Sequence, residues 1–307
     1  MAARTSFRPG ALLLAASLAA SALGSCGGDH SFDLGGPACV GKTGAPGETV
    51  VDITSGGRPR RFRLFVPSSY DPSRGTPLVF DFHGALSDGA EQEGRSKFRD
   101  VGEANGFLVA TPDGYEQTWN AEVCCGKSMA DGIDDLGFVR DIVSAVEDDY
   151  CVDRSRIYAA GYSNGGIFSM FLACRADDLI AAAASVEAAS LDASRCQPSR
   201  PVPVFFLNGT GDPVVPYAVA PGSVALWRQI DGCSDASEIT FDQGDSRCEQ
   251  WSECDAGTAV GFCTIEGGGH TWPGGGDFPP YLGKKSEDLP ASEEIWKFFS
   301  AHALPEP

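Results

Sequence analysis

A strand-like apolar run, Ile157 to Ala160, passes into a helix-like stretch, Ile167 to Ala173, through the pentapeptide Gly161-Tyr162-Ser163-Asn164-Gly165. This handover constrains the fold more than any other part of the chain. Strand must become helix within one tight turn, which lifts the serine clear of the sheet, and the flanking glycines let the helix pack close without a Cβ in the way. The bare pattern Gly-x-Ser-x-Gly arises by chance in glycine- and serine-rich sequence, so the strand, turn and helix context carries the information. The expectation is a nucleophile elbow presenting Ser163.

From Val50 onward, β-type runs alternate with helical patterns. The strand readings are Val50 to Ile53, Phe62 to Val66, Leu78 to Phe82, Leu108 to Thr111, Ile157 to Ala160, Ala182 to Val186, Val204 to Leu207 and Val260 to Ile265. The helix readings are Arg95 to Asn105, Asp135 to Asp149, Gly165 to Arg175, Gly222 to Asp231 and Ser292 to Ala303, with Phe138, Ile142 and Val146 forming a buried stripe in the second. Asp135 reads as that helix's N-cap. Alternation of this kind predicts an α/β fold: an eight-stranded, mostly parallel sheet with helices on both faces, of the α/β-hydrolase type. The short span from Val186 to Val202 leaves no room for a helical lid, so an open site is expected.

In that fold a catalytic acid follows the serine and a histidine follows the acid. His270 and His302 are the histidines late enough in the chain. His302 ends the last helical pattern and reads as a C-terminal cation. His270 follows the Val260 to Ile265 run and lies between Gly267-Gly268-Gly269 and Pro273-Gly274-Gly275-Gly276, which reads as a mobile loop carrying a base. Asp212, in the turn after Val204 to Leu207, is the expected acid. An oxyanion also needs preorganised backbone donors. The Asn164 amide supplies one by position, and the Ala85 amide, after the strand ending in His83-Gly84-Ala85, the second, with Gly84 as the alternative. His83 is expected to shape that loop and lie at the substrate. Trp272, two residues beyond His270, and Trp119 are expected as substrate walls, and Tyr162 as packing in the elbow.

The first 25 residues read as an export signal: Arg4 and Arg8, then the apolar stretch Ala11 to Leu23, then small residues. Leu23-Gly24-Ser25-Cys26 is similar to a bacterial lipobox, so Cys26 is a candidate lipid anchor at the outer membrane; cleavage near Ala22 for ordinary secretion is the alternative. Residues 26–48 read as a flexible tether and 49–307 as the catalytic domain. Of 11 cysteines, setting Cys26 aside leaves an even number, which in an exported chain argues for disulfides. Cys124 and Cys125 either bridge each other or pair elsewhere, and Cys39 is placed to staple the tether to the domain. No Cys-x-x-Cys pair or histidine cluster suggests zinc, and no cofactor is expected. A net charge of −19 disfavours nucleic acid and polyanionic substrates as partners.

Six segments carry a resemblance: His83-Gly84; Trp119-Asn120 with Cys124-Cys125-Gly126; Asp134 to Phe138; Gly161 to Gly166; Gly209 to Tyr217; and Gly269 to Gly274. In this order, from about residue 50 to 303, they resemble the secreted poly(3-hydroxybutyrate) depolymerases and feruloyl esterases of the carbohydrate esterase family 1 type. Gly211 departs from many of these relatives, which carry another residue before the aspartate. The resemblance implies an α/β-hydrolase fold with Ser163 as nucleophile, Asp212 as acid and His270 as base. It also implies an ester as substrate, either a hydroxyalkanoate, the first expectation, or a feruloyl or acetyl-xylan ester. A catalytically silent surface binding protein is the reading of a different class.

Overall fold

A computed structural model of the chain describes residues 39–189 and 196–305. The expected export signal, Cys26 and most of the tether therefore lie outside the described residues.

The chain enters through the hairpin β1 (Gly47–Ser55) and β2 (Arg58–Val66), whose turn is Gly56-Gly57 with φ of 57° and 73°. Positive φ at both central residues is what a tight two-residue hairpin requires. There follow β3 (Thr76–Phe82), α1 (Gly89–Ser96), α2 (Phe98–Asn105), β4 (Leu108–Pro112), α3 (Lys127–Ala130), α4 (Asp135–Asp149), β5 (Val152–Tyr162), α5 (Asn164–Arg175), β6 (Ala182–Val186), β7 (Val204–Gly209), α6 (Ala220–Ile230), β8 (Glu238–Gln243), β9 (Ser246–Trp251), β10 (Val260–Ile265) and α7 (Ala291–Ser300).

These strands form one sheet in the order β1-β2-β4-β3-β5-β6-β7-β10-β9-β8. The inner six, β4 to β10 in that order, are parallel, and an antiparallel pair flanks them on each side. Successive strand residues face opposite sides. Phe80, Phe82, Ile157, Ala159 and Phe206 pack with Phe138 and Ile142 of α4, Phe168 of α5 and Trp227 of α6. Val79, Tyr158, Ala160 and Leu207 pack on the other face with Phe98 of α2 and Ile295 and Phe299 of α7. Two apolar layers against one sheet give the helix–sheet–helix arrangement expected.

Among the described residues ten strands are found where eight are expected. The additional pair, β8 and β9, joins at the sheet edge, where β8 is largely exposed and its sequence EITFDQ lacks a buried apolar face. Its order comes from the ladder to β9, and the Cys248–Cys263 bridge ties β9 to β10. The helix expected over Arg95 to Asn105 is two helices. Lys97, with φ of 58°, ends α1, and α1 begins earlier, where Asp88 accepts a hydrogen bond from the Glu91 amide at 3.0 Å. Asp134, not Asp135, caps α4, accepting from the Gly137 amide at 2.7 Å. Between β6 and β7 the described residues contain no helix, and residues 190–195 lie outside the description.

The ten cysteines among the described residues pair as Cys39–Cys151, Cys124–Cys125, Cys174–Cys196, Cys233–Cys254 and Cys248–Cys263. Within the span expected as tether, Cys39 is thus bound to the domain, the Thr43 and Gly44 amides donate to the Asp149 carbonyl at 3.2 and 2.9 Å, and β1 opens at Gly47. Among the described residues no helix is long and apolar enough to cross a membrane.

Candidate active site

Because the central strands run parallel, the loops leaving their C-terminal ends collect at one edge, where α/β sheets bind ligands. Ser163 follows β5, the Gly84-Ala85 loop follows the neighbouring β3, Asp212 follows β7, and His270 follows β10. Sheet order thus gathers residues more than a hundred positions apart.

Ser163 has φ 53° and ψ −119°, a backbone conformation rare for a side-chain-bearing residue and typical of strain held at a functional turn. Three glycines allow it. A Cβ on Gly161 would lie 2.3 Å from the Gly165 carbonyl oxygen, one on Gly165 2.3 Å from the Phe82 carbonyl oxygen, and one on Gly166 2.8 Å from Ser185 Oγ. Helix α5 can therefore start directly against β3 and β5.

His270 Nε2 lies 2.9 Å from Ser163 Oγ and its Nδ1 lies 2.7 Å from Asp212 Oδ2. The His270 and Asp212 side chains are almost fully enclosed, at 5% and 1% exposure. Burial alone would raise the Asp212 carboxyl, but the hydrogen bond and charge of His270 and the amides of Val214 and Val215 outweigh it and hold the group below its ordinary value. Those amides donate to Oδ1 at 2.6 and 2.9 Å. The His270 segment is not the mobile loop expected. Its amide donates to the Leu282 carbonyl at 2.6 Å, the Gly269 amide donates to the Lys284 carbonyl at 2.7 Å, and the Tyr162 hydroxyl donates to the His270 carbonyl at 2.6 Å. Glycine serves close approach here, since a Cβ on Gly269 would lie 2.3 Å from the Leu282 carbonyl oxygen.

The oxyanion candidates sit beside the serine. Asn164 opens α5, where first-turn amides have no acceptor within the helix. Gly84 is so close that a Cβ there would lie 2.7 Å from the Tyr162 ring and 3.3 Å from Ser163 Cβ; Ala85 follows it at the exposed end of the loop.

His83, Trp119 and Trp272, expected as substrate contacts, offer a ligand no surface: each is 0% exposed. They are corrected to frame residues. His83 Nδ1 donates to the Gly84 carbonyl at 2.7 Å and Nε2 accepts from the Gly114 amide at 2.8 Å; burial lowers its basicity, so the ring is neutral and its tautomer fixed. Trp119 donates from Nε1 to the His83 carbonyl at 2.9 Å, and its amide donates to Asn164 Oδ1 at 2.7 Å. Trp272 stacks edge-on against Phe98 and donates to Ser292 Oγ at 3.0 Å. The loop carrying Trp119 and the Cys124–Cys125 bridge is anchored by Asp135, which is buried and accepts from Arg60 at 2.8 Å, from the Asn120 amide at 2.8 Å and from Ser128 Oγ. His302, expected as a helix-terminal cation, is instead half-buried against Phe298, and burial lowers its pKa to about 4.

Two features escaped the sequence. Exposed apolar side chains stand on loops at the same sheet edge: Leu86 after β3, Val214 beside Asp212, and Tyr281 beside the Leu282 carbonyl that holds His270. The other is Glu187, directly after β6 and 1% exposed, which together with Asp212 and His270 forms a cluster whose ligand atoms lie within 4.8 Å of one another. Its signal was present, as a charged residue ending the apolar run Ala182 to Val186 at the catalytic end of a parallel strand. Both ring nitrogens of His270 are already engaged, so the cluster presents a metal ion with carboxylates alone.

Fold and site geometry together define an α/β-hydrolase. No family model matches the chain. It is 31% identical over 234 residues to feruloyl esterase B of Piromyces equi, covering 69% of this chain and 42% of that protein. It is 27% identical over 293 residues to a probable feruloyl esterase C of Aspergillus niger, covering 92% and 96%. Among solved structures, the acetyl xylan esterase of Aspergillus awamori superposes with a TM-score of 0.59 at 14% identity, covering 82% of this chain and 99% of that one. The chain spans less than half the length of the Piromyces protein. The chain thus has the α/β-hydrolase fold and is similar in sequence to feruloyl esterases.

Proposed function

We propose that this chain is a serine carboxylic-ester hydrolase acting on feruloyl-type esters, or on the acetyl esters of xylan, through an acyl-enzyme intermediate. The observation that carries the reading is the unbroken hydrogen-bond chain from Ser163 Oγ through His270 to Asp212. His270 takes the Ser163 proton as the oxygen attacks the ester carbonyl, and Asp212 orients the imidazole and stabilises the cation that forms. The amides of Asn164 and Ala85 hold the oxyanion. The alcohol leaves with the proton from His270, and a water activated by the same ring releases the acid. Leu86, Val214 and Tyr281 give the acyl group an apolar surface. The feruloyl reading takes precedence over the hydroxyalkanoate ester expected first because the two sequence relatives named above are a feruloyl esterase and a probable feruloyl esterase. Export belongs to the same reading, since five disulfides are characteristic of an oxidising compartment; Cys26, in the expected lipobox, is the proposed lipid anchor.

Purified protein is to be compared on methyl ferulate, acetylated xylan and a soluble 3-hydroxybutyrate trimer, subtracting the rate of Ser163→Ala from each. Preference for ferulate or acetylxylan supports the proposal, preference for the trimer transfers the chain to hydroxyalkanoates, and no Ser163-dependent turnover removes the enzyme reading. A second expectation concerns the oxyanion loop. Gly84→Ala places a methyl 2.7 Å from the Tyr162 ring and displaces the Ala85 amide, so kcat on the preferred ester is expected to fall by about a hundredfold. Unchanged kcat in a variant that melts like wild type would show that Ala85 is not a donor.

A further inference from the structure

Glu187 is the titratable side chain at the site that acyl transfer leaves without a task. We propose that it is a positioning residue: it holds a proton at rest and donates it in a hydrogen bond to Asp212, fixing that carboxylate against His270. The inference rests on the esterase reading above.

The geometry begins in the sheet. Strand β6 lies between β5, which ends at the serine, and β7, which leads to Asp212, so the residue that follows β6 emerges beside the acid. Glu187 takes φ of 49°, its amide donates to the Leu207 carbonyl at 2.8 Å, and its Oε2 accepts from the Gly209 amide at 2.9 Å. Backbone and one carboxyl oxygen are thus fastened to β7, with the group closed off from water at 1% exposure. Among the described residues the groups facing it are Asp212 from the loop after β7, His270 from the loop after β10, and Tyr162 from the end of β5, whose hydroxyl is committed to the His270 carbonyl.

Two carboxyl groups this close in a dry site do not both ionise; one keeps a proton, and the other keeps its charge. Hydrogen-bond supply decides which. Asp212 receives three donors: two amides at Oδ1 and His270 at Oδ2. Glu187 receives the Gly209 amide. The charge therefore stays on Asp212 and the proton on Glu187, in agreement with burial and the Asp212 charge pushing Glu187 well above the usual carboxylate range. A protonated Glu187 adds a fourth donor to Asp212, and a fully satisfied buried carboxylate has one orientation available. In this state Glu187 touches neither substrate nor reacting atoms; it acts through Asp212.

The test has two arms. Isotope-edited infrared spectra of the resting protein at pH 7 are expected to show a protonated carboxyl band that disappears in Glu187→Gln. A wild-type spectrum without that band overturns the proposal. This arm needs no substrate, so it stands or falls apart from the esterase assignment, which is tested by wild-type turnover. The kinetic arm compares Glu187→Leu, which removes the donor, with Glu187→Gln, which keeps an N–H in its place. Leucine is expected to lower kcat by about tenfold, the worth of one hydrogen bond to a charged group, with KM within about twofold. Glutamine is expected to recover most of that loss and to leave the acid limb of the kcat/KM profile in place. A glutamine variant as slow as the leucine variant overturns the proposal, as does an acid limb moved to lower pH by glutamine, which would mean that a negative charge had been removed beside the base. If the leucine variant does not fold, the infrared band and the glutamine profile decide the matter.

Discussion

Asp212→Asn is expected to lower kcat on the preferred ester by about 10⁴, with KM changed by no more than a few-fold and the melting temperature close to wild type. The size of the effect follows from which way the new amide must face. Asp212 Oδ1 accepts two backbone N–H groups, from Val214 at 2.6 Å and Val215 at 2.9 Å. Only an oxygen satisfies both donors, so the asparagine carbonyl takes that place and its NH₂ takes the place of Oδ2, facing His270 Nδ1. An NH₂ donor there selects the tautomer with a lone pair on Nδ1 and a proton on Nε2. Nε2 then points a hydrogen at Ser163 Oγ, 2.9 Å away, and cannot accept the serine proton. The apolar surface proposed for the acyl group is untouched, which is why KM should hold. A variant retaining more than a tenth of wild-type kcat would show that Asp212 does not set the histidine tautomer, and another acid would have to be sought.

The order Ser163, Asp212, His270 was legible because each residue ends a strand-like run, and a parallel sheet delivers strand ends to one edge. The placement of the Gly84-Ala85 loop beside Ser163 was legible for the same reason. The walls of the site were not. Trp272 reads as a loop residue beside the base, yet the segment of Leu282 and Lys284 straps that loop down and turns the indole inward onto Phe98. Trp119 is likewise drawn in by hydrogen bonds to His83 and Asn164, partners distant in sequence. A local pattern shows that an aromatic stands in a loop; which side of the loop it faces depends on contacts made elsewhere. Strand β8 escaped because an edge strand is held by its ladder, with an exposed sequence that has no core-facing period, and β9 because its buried residues, Ser246, Cys248 and Trp251, are too few and too mixed to read as a strand. The exposed Leu86, Val214 and Tyr281 are ordinary in the sequence and become informative once their loops are known to share one edge with Ser163.

The second large effect concerns stability and lies away from the site. Asp81 is fully buried in β3, accepting from Gln92 Nε2 at 2.7 Å and from Ser96 Oγ, both neutral donors. Burial pushes its pKa up to about 7 from an ordinary 3.8. The fold therefore prefers the protonated acid. That preference is fully present below pH 3.8, where the unfolded chain also carries the proton, and is lost progressively as pH rises to about 7. Each unit is worth about 1.4 kcal/mol, so by pH 8 the loss approaches about 4 kcal/mol. Asp231, pushed up to about 7 by burial, contributes in the same direction. His302 contributes in the opposite direction: its pKa is lowered to about 4, so the stability it confers is full above its ordinary 6.5 and is lost as pH falls towards 4. The wild-type melting curve mixes these limbs, whereas the difference between wild type and Asp81→Asn isolates one of them. Asparagine carries no charge at any pH and keeps an acceptor for Gln92. Asp81→Asn is expected to melt several degrees above wild type at pH 8, with the gap closing towards pH 4, at about 2–4 °C for each kcal/mol. A gap independent of pH would mean that Asp81 does not titrate between folded and unfolded states, and the stabilisation would then have to come from packing.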